Sequence, residues 1–157
     1  IRYGIGIRRL VRFAVEDIGL SDPEAVNQAL HAKDAYQFLG SPEGELAIAQ
    51  AVIYLATAPK SNACYSAFKQ AKQSVKETGS LMPPKHILNA PTNMMKDMGY
   101  GDGYQYDHDT EHGFSGHNYF PYTMPQKTYY SPSRFGFEKD IQKRLDYWNK
   151  LRSDNKN

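Results

Sequence analysis

The segment from Glu45 to Ala58, ELAIAQAVIYLATA, is apolar on almost every side when its residues are placed on a helix. Ser41, Pro42 and Glu43 precede it and provide a helix start, while Pro59 ends it. A helix without a polar face must be covered on several sides. We therefore expect it to be the central element of a helical fold. The side chains expected in a core, or in a contact between copies of the chain, are Leu46, Ile48, Val52, Ile53 and Leu55.

Helical patterns lie on both sides of this segment. The first runs from Ile5 to Asp17 and the second from Pro23 to Leu39, where Gly40 is a natural left-handed stop. The fourth runs from Ser61 to Thr78, ends at Gly79, and places an apolar stripe opposite a row of lysines. The stripe consists of Cys64, Phe68, Ala71 and Val75. We expect the single cysteine to be a small buried thiol.

A short helix, PTNMMKDM, and a long one, GFEKDIQKRLDYWNKLR, complete the pattern. The long helix carries Phe137, Ile141, Leu145, Trp148 and Leu151 on one face. No segment shows the alternation of a strand, and 157 residues is the size of one domain. The predicted fold is all-α, a bundle of about six helices in a single domain over residues 1–157.

The helical period disappears between Gly99 and Ser133, a segment that we call the strap. Segments of this length inside a domain are normally functional or disordered, and the many aromatic residues here favour order. We expect rings of the strap to contact the helices and its glycines to adopt positive φ at turns. The residues predicted to set its path are Gly99, Gly101, Gly103, Tyr104, Tyr106, His108 and Asp109.

The strap sequence GYGDGYQYDHDTEHGFSGHNYFP invites ligand-binding interpretations. A phosphate-binding loop would need the pattern G-x-x-x-x-G-K-[ST], which is absent, and Asp102 would repel the phosphate. An EF-hand calcium loop would need glycine and glutamate where His112 and Asn118 stand. Neither interpretation is therefore favoured.

Zinc is the third candidate, because His108, His112 and His117 lie close together in the sequence. No HExxH helix accompanies them, and Cys64 is far away along the chain. We favour a structural role for His108 as a hydrogen-bond centre between two aspartates. No nucleophile–base pair or G-x-S-x-G turn is evident, so we expect no catalytic site, metal or cofactor in this chain.

Two basic clusters are candidates for contacts with nucleic-acid phosphates. They are Arg8, Arg9 and Arg12 in the first helix and Lys69, Lys72 and Lys76 in the fourth. Exposed tyrosines could stack on single-stranded bases, but solvated helix faces explain the same residues and are favoured. The net charge is only +2 and is spread evenly along the chain. Neither half is therefore an electrostatic footprint for nucleic acid.

The sequence also favours a location away from membranes. No apolar run approaches the ~18 residues of a membrane span, and no signal peptide precedes the first helix. A single cysteine fits a reducing compartment. The chain starts at Ile1 without a methionine and enters a helical pattern almost at once, which is typical of a piece of a longer protein.

Five segments carry a family resemblance: FAVEDIGLSDPEA (13–25), LGSPEGELAIAQAVIYLATAPKSNACYSAFK (39–69), LNAPTNMMKDMGYGDGYQYDHD (88–109), NYFP (118–121) and YYSPSRFGFE (129–138). They resemble the C-terminal region of the replication-associated recombination protein A family. This family is also called MgsA and includes the eukaryotic Werner-helicase-interacting protein. The resemblance extends over most of the chain and breaks down at IRYGIG and YTMPQK.

The resemblance implies a part of an AAA+ ATPase related to clamp-loader subunits. The nucleotide site of such a protein, with ATP and Mg²⁺, lies in an N-terminal module, and its ATP-binding residues have no matching positions here. The resemblance also implies a homotetramer held together by the helical region. The whole protein would be cytoplasmic and nucleoid-associated, and would act at stalled forks on DNA and with single-stranded-DNA-binding protein.

We therefore expect a non-enzymatic oligomerisation domain of an ATPase that acts in DNA replication, recombination and repair. The alternative is a module that binds single-stranded DNA or duplex ends. The two are distinguished by the solution mass of the chain and by the salt dependence of oligonucleotide binding.

Overall fold

A computed structural model describes residues 3–154 of the chain. The first two residues of the IRYGIG segment lie outside this range. Within it the structure contains six α-helices and no strand, which confirms the all-α prediction. The helices are α1 (Tyr3–Phe13), α2 (Glu24–Leu39), α3 (Glu43–Thr57), α4 (Ala63–Thr78), α5 (Asn93–Asp97) and α6 (Glu138–Asp154).

The described residues form two compact units. Unit 1 comprises the residues up to Ala71 together with Tyr129–Lys143, and unit 2 comprises Lys72–Thr128 together with the residues from Arg144 onwards. The division falls within α4 and within α6. A single domain over residues 1–157 stays a prediction.

In unit 1, α1 continues into a π-helical turn, Ala14–Ile18. The turn closes on Gly19, whose backbone N–H donates to the Ala14 carbonyl and whose φ of 52° ends the helix. Ala14 and Ile18 are both buried, and the Asp17 carbonyl accepts a hydrogen bond of 2.8 Å from the Ser61 N–H. The sequence predicted an ordinary helix through Asp17. The wider turn instead lets one backbone carbonyl bind the connection between α3 and α4.

The helices α2 and α3 form the hairpin that organises unit 1. Gly40 ends α2 with a φ of 73°, and its N–H donates to the Tyr36 carbonyl. Gly44, near the start of α3, lies so close to α2 that an added Cβ would be 2.7 Å from the Cα of Tyr36. The two helices can therefore approach closely only because position 44 has no side chain.

The core of unit 1 is built from small side chains. Ala25 and Ala29 of α2 are fully buried against Ala14, Ile18 and Leu55. Tyr54 lies at the edge of this cluster, and its hydroxyl donates to the Asp22 carboxylate at 2.8 Å. Alanines at the contact let helix axes approach and give close packing without long side chains.

The C-terminal part of unit 1 is fixed by Ser21. The Ser21 hydroxyl lies 2.6 and 2.7 Å from the carbonyl oxygens of Ile18 and Pro59 and can donate its one hydrogen to either of them. The Ser21 carbonyl accepts from the Phe137 N–H at 2.8 Å. Gly136 lies against that carbonyl with a φ of 52° and has no room for a Cβ. This polar contact positions the N-terminus of α6.

In unit 2, the strap packs on the end of α6 through aromatic rings. Phe114 stacks on Trp148 with a centroid distance of 5.7 Å, and the Arg152 guanidinium lies 4.9 Å from the centroid of the same ring. Tyr147 contacts His112 edge-on. These contacts hold the middle of the strap.

Candidate functional site

An exposed apolar surface of unit 1 lies on α3. Ala51 and Leu55 face the core, with Leu55 only 1% exposed, whereas Leu46 and Ile53 are 75% and 66% exposed. Val52 is also exposed and Ile48 is half-buried. Leu46, Ala49, Ile53 and Ala56 recur at helical spacing and form a row, which we call the α3 face.

The prediction that α3 is a central helix, covered on several sides, is wrong for the single chain. A helix of 15 residues in a hairpin is covered mainly along the side that contacts its partner. Of the five residues predicted for a core or a contact between copies, Leu55 lies in the core and Leu46, Val52 and Ile53 face solvent. The end of α2 adds Phe38 and Leu39 to the exposed apolar surface of unit 1.

Both basic clusters lie on exposed surface. Arg8, Arg9 and Arg12 project from α1 and Lys69, Lys72 and Lys76 project from α4. The Arg12 guanidinium forms an ion pair with Glu16 one turn later, with N–O distances of 3.2 Å, and this contact raises the pKa of Arg12. Exposure is compatible with nucleic-acid contacts and with ordinary solvation.

The sequence-based assignment of faces on α4 is wrong. Three residues of the predicted apolar stripe, Cys64, Phe68 and Val75, are exposed. The protein instead covers the row of small residues Ala63, Ala67, Ala71 and Ser74, of which Ser74 is buried. The prediction of a buried thiol at Cys64 is therefore also wrong. Small residues let a neighbouring segment approach the helix, so the smaller rather than the more apolar face is covered.

The glycine-rich start of the strap wraps around one lysine in unit 2. Gly99, Gly101 and Gly103 have φ values of 78°, 79° and 76°, as expected for glycines at turns. The Gly101 N–H donates to the Lys85 carbonyl at 2.8 Å, and the Lys85 ammonium donates to the Met98 carbonyl at 2.8 Å. Lys85 thereby caps the chain as it leaves α5.

The hydrogen bonds of the following turn are centred on Asp107 rather than on His108. The Asp107 carboxylate accepts from the Ser115 N–H at 2.8 Å, and its carbonyl accepts from the Thr110 hydroxyl at 2.6 Å. The hydrogen bonds from Ser115 lower the pKa of Asp107. His108 is exposed and contacts the ring of Tyr106, and Asp109 contributes its N–H to the turn. The hydrogen-bond role predicted for His108 is therefore wrong, because the short Asp107 side chain reaches the backbone first.

Several tyrosines of the strap face solvent instead of the helices. Tyr104 and Tyr106, predicted to help set its path, are more than half exposed, and so are Tyr119 and Tyr122. Phe114, in contrast, stacks on Trp148 of α6. The expectation that the rings pin the whole strap is correct for its middle and wrong for its beginning.

Among the residues that the structure describes, no three histidine, cysteine, aspartate or glutamate side chains come together as a metal site. The three strap histidines are used separately, with His117 beside His86 and His112 beside Tyr147. In the same part of the chain, no helix has the length and apolar character needed to cross a membrane.

A buried carboxylate that sequence reasoning missed lies at the first turn of α6. Glu138 has no exposed surface, and it accepts hydrogen bonds from the Tyr130 hydroxyl and the Ser133 N–H, both at 2.8 Å, and from Ser61. Burial alone would raise the pKa of Glu138, but the hydrogen bonds outweigh it and the pKa is lowered. Burial, with the hydrogen bond to Glu138, raises the pKa of Tyr130. Glu138 also lies in the first turn of α6, where the helix dipole stabilises a negative charge.

This arrangement is a clasp rather than a catalytic pair. Glu138 joins the α3–α4 connection, through Ser61, to the C-terminal part of the strap, through Tyr130 and Ser133. All its donors are neutral, and the carboxylate has no exposed surface from which to reach a substrate. Nothing in the sequence indicated that this glutamate, at the start of a helix, would be buried.

Comparison with known proteins places this helical architecture in a family. The sequence profile described as "MgsA AAA+ ATPase C terminal" matches residues 4–149. The chain belongs to the MgsA AAA+ ATPase C-terminal family. The assignment agrees with the resemblance carried by the segments between Phe13 and Glu138.

Relatives of this MgsA C-terminal chain occur in bacteria and in a eukaryote. Replication-associated recombination protein A of Coxiella burnetii is 49% identical over 150 residues, which are 95% of this chain and 34% of the relative. The protein of the same name from Haemophilus influenzae is 48% identical over 140 residues, 88% of this chain and 31% of the relative. ATPase WRNIP1 of Dictyostelium discoideum is 46% identical over 102 residues, 65% of this chain and 12% of the relative. The chain thus spans about a third of the length of the bacterial relatives.

Proposed function

We propose that this MgsA C-terminal chain joins copies of its parent ATPase by burying the α3 face between them. The observation that carries the proposal is the exposure of Leu46 and Ile53, at 75% and 66%, on a helix that has no charged residue after Glu45. Each such side chain contributes about 1.5–3 kcal/mol when it is removed from water. A surface with this composition is typical of a contact between proteins rather than of a solvated helix.

The resulting function is scaffolding. A symmetric homotetramer, the state expected from the resemblance, would fix the spacing of four ATPase modules so that they act together on DNA. The names of the relatives point to replication-associated recombination as the process. The parent protein would bind ATP and Mg²⁺ in another module and would work with DNA and single-stranded-DNA-binding protein. This chain would contribute no catalytic step.

Sedimentation equilibrium of the chain tests the proposal. We expect a mass of four chains for the wild type and a smaller mass for the double variant Leu46→Lys/Ile53→Lys, because two lysines cannot be buried in an apolar contact. Met94→Lys is the matched control, because Met94 of α5 is as exposed as Ile53, at 67% against 66%. A wild-type monomer at high micromolar concentration would contradict the proposal, and so would an unchanged mass of the double variant.

A second candidate function is binding of single-stranded DNA by the basic clusters. The observation that favours it is that all six side chains are exposed, and that Tyr104 and Tyr106 are exposed as well. Lysines and arginines would contact phosphates, and the rings would stack on bases.

Charge reversal at Lys69, Lys72 and Lys76 tests this candidate. We expect weaker binding of a dT oligonucleotide and a flatter dependence of affinity on salt concentration, by about one unit of slope for each phosphate that the variant no longer binds. A triple variant with glutamate at Lys96, Lys139 and Lys150 has the same change in net charge and is the control. Equal decreases in affinity for both variants would show a general charge effect and no specific site.

A further inference from the structure

Unit 1 contains an open cleft of about 660 Å³ between α4 and the C-terminal part of the strap. One wall is a row on α4, formed by Asn62, which lies just before the helix, Ser66 and Gln70. The opposite wall is a row on the strap formed by Tyr129, Ser131 and Ser133. Residues 125–133 contain no turn or bend, so this part of the strap is extended.

The two walls have nearly the same repeat. Residues four apart on a helix lie about 6 Å apart along its axis. Residues two apart on an extended chain lie about 6.6 Å apart and point in the same direction. A peptide bound in extended conformation has the same repeat of about 6.6 Å. Every second residue of such a peptide would therefore lie beside the next polar side chain of each wall.

The polar groups of the walls suit a peptide backbone. The amide side chains of Asn62 and Gln70 can each donate and accept, as a backbone peptide group requires, and the serine hydroxyls can do either. The backbone N–H and carbonyl of Ser131 make no hydrogen bond with any residue that the structure describes. An extended segment with free backbone groups is a template for pairing with another extended chain.

The cleft is lined by one ammonium group and one carboxylate, and the carboxylate is the group open to a ligand of opposite charge. Lys60 lines the cleft, but its ammonium is already bound by the carbonyls of Leu55, Ala56 and Ala58 at the end of α3. Asp17 also lines the cleft, and its carboxylate is exposed and forms no hydrogen bond or ion pair within residues 3–154, although Arg12 is near enough to interact with it through charge. An open carboxylate attracts a cation and repels phosphate.

We propose that this cleft binds an extended peptide segment of a partner protein that places a lysine or arginine against Asp17. The aromatic ring of Phe135, which also lines the cleft, covers the apolar stem of that side chain. The ring of Phe13 lines the cleft as well and has the Lys60 ammonium 5.6 Å from its centroid. The site is separate from the α3 face, so the inference does not rest on the proposed oligomerisation. It gives the chain a recognition function in addition to scaffolding.

Selection from a phage library of random nine-residue peptides tests the proposal. The immobilised chain is the bait, and the enriched peptides are synthesised and their affinities measured by fluorescence anisotropy. We expect enrichment of peptides with a lysine or arginine. Asn62→Leu/Gln70→Leu should weaken their binding about tenfold, as expected when one or two hydrogen bonds are removed. Gln73→Leu, an exposed change on α4 beyond the residues that line the cleft, should leave the affinity unchanged.

A second variant isolates the charge. Asp17→Asn should weaken binding of the basic peptide but not of a peptide in which norleucine replaces the basic residue. Since Asp17 is exposed, this variant keeps the test valid even if the double variant fails to fold. The Ile53→Lys variant should bind the peptide like the wild type, which separates this proposal from the α3 contact.

Four results of the binding experiments would overturn the proposal. They are the absence of any enriched sequence, enrichment of acidic peptides, equal binding by the wild type and the cleft variants, and displacement of the peptide by a dT oligonucleotide. A change in solution mass caused by Asn62→Leu/Gln70→Leu would also overturn it, because the occupant of the cleft would then be a second copy of this chain.

Discussion

At the scale of single residues, the contact between the α3–α4 connection and the strap depends on Glu138. It is a fully buried carboxylate with neutral donors, and it links Ser61, Tyr130 and Ser133. Hydrogen bonds to a charged group are stronger than those between neutral groups, but an unpaired donor left behind after substitution costs a desolvation penalty. The clasp is therefore sensitive to a change that alters only hydrogen-bonding character.

We expect Glu138→Gln to lower the free energy of unfolding by about 2–3 kcal/mol. The glutamine amide places an NH₂ group against one of the donors that the carboxylate now accepts from, and it removes the charge. Urea denaturation measures the effect. Glu111→Gln changes an exposed carboxylate of the strap and should stay within about 0.5 kcal/mol of the wild type. A similar small effect of Glu138→Gln would contradict the clasp.

The same residue predicts a dependence of stability on pH. The pKa of Glu138 is lower in the folded chain than the value of about 4.3 expected when it is unfolded. The stabilisation from its charged form is therefore complete above the unfolded pKa and is lost as the pH falls through the folded pKa. The difference in unfolding free energy between wild type and Glu138→Gln should be constant from pH 7 to about pH 5 and should shrink below about pH 4. A difference that grows on acidification would refute this assignment.

At the scale of helices, sequence patterns predicted where elements begin and end better than which faces are covered. The boundaries of α2 follow from Pro23 and Gly40, which act locally through φ and the missing N–H. The covered face of α4 depends on a different property, the space that Ala67 and Ser74 leave for a neighbouring segment. Such long-range contacts have no local signal, and the exposed Phe68 and Val75 gave the opposite impression.

The same limit applies to the strap and to the candidate sites. Gly99, Gly101 and Gly103 were predictable because positive φ is a local requirement. The cleft beside α4 was not, because it needs α4 and residues 129–135 to lie side by side although they are far apart in sequence. The α3 residues were selected correctly as apolar, but a sequence alone does not say which side of a hairpin helix its partner leaves open.

The hairpin of α2 and α3 gives a test with opposite expected signs. Gly44→Ala should destabilise the chain by about 1–3 kcal/mol, because the new methyl group would lie 2.7 Å from Tyr36 Cα and force the helices apart. Gly6→Ala in α1 has no atom within 4 Å of the new methyl group. It should stabilise by up to about 1 kcal/mol through helix propensity. Thermal or urea unfolding distinguishes the two, and a stabilising Gly44→Ala would contradict the close approach.

At the scale of the whole molecule, the chain combines a compact alanine core with a large exposed apolar surface on unit 1. Leu46, Ile53, Phe38 and Leu39 are more exposed than side chains of a self-contained unit usually are. Membership of the MgsA AAA+ ATPase C-terminal family places such a chain beside an ATPase module in its relatives. Oligomerisation is the simplest proposal that uses both facts.

Oligomerisation also predicts that thermal stability depends on protein concentration. If copies bind each other only when folded, mass action raises the unfolding temperature as concentration rises. We expect an upward shift of several degrees for a hundredfold increase in wild-type concentration. Leu46→Lys/Ile53→Lys should show no shift, and Met94→Lys should behave like the wild type. Scanning calorimetry at two concentrations is the measurement, and a wild-type midpoint that does not move would argue against association.

The outward position of Cys64 has a practical consequence for symmetry. As the chain has a single cysteine and the structure exposes it, one nitroxide spin label can be attached to every copy without a substitution. Dipolar spectroscopy would then report one distance for a twofold pair, and up to three for a tetramer with three perpendicular axes. The number of distances measured from labelled Cys64 would therefore distinguish a dimer from a tetramer.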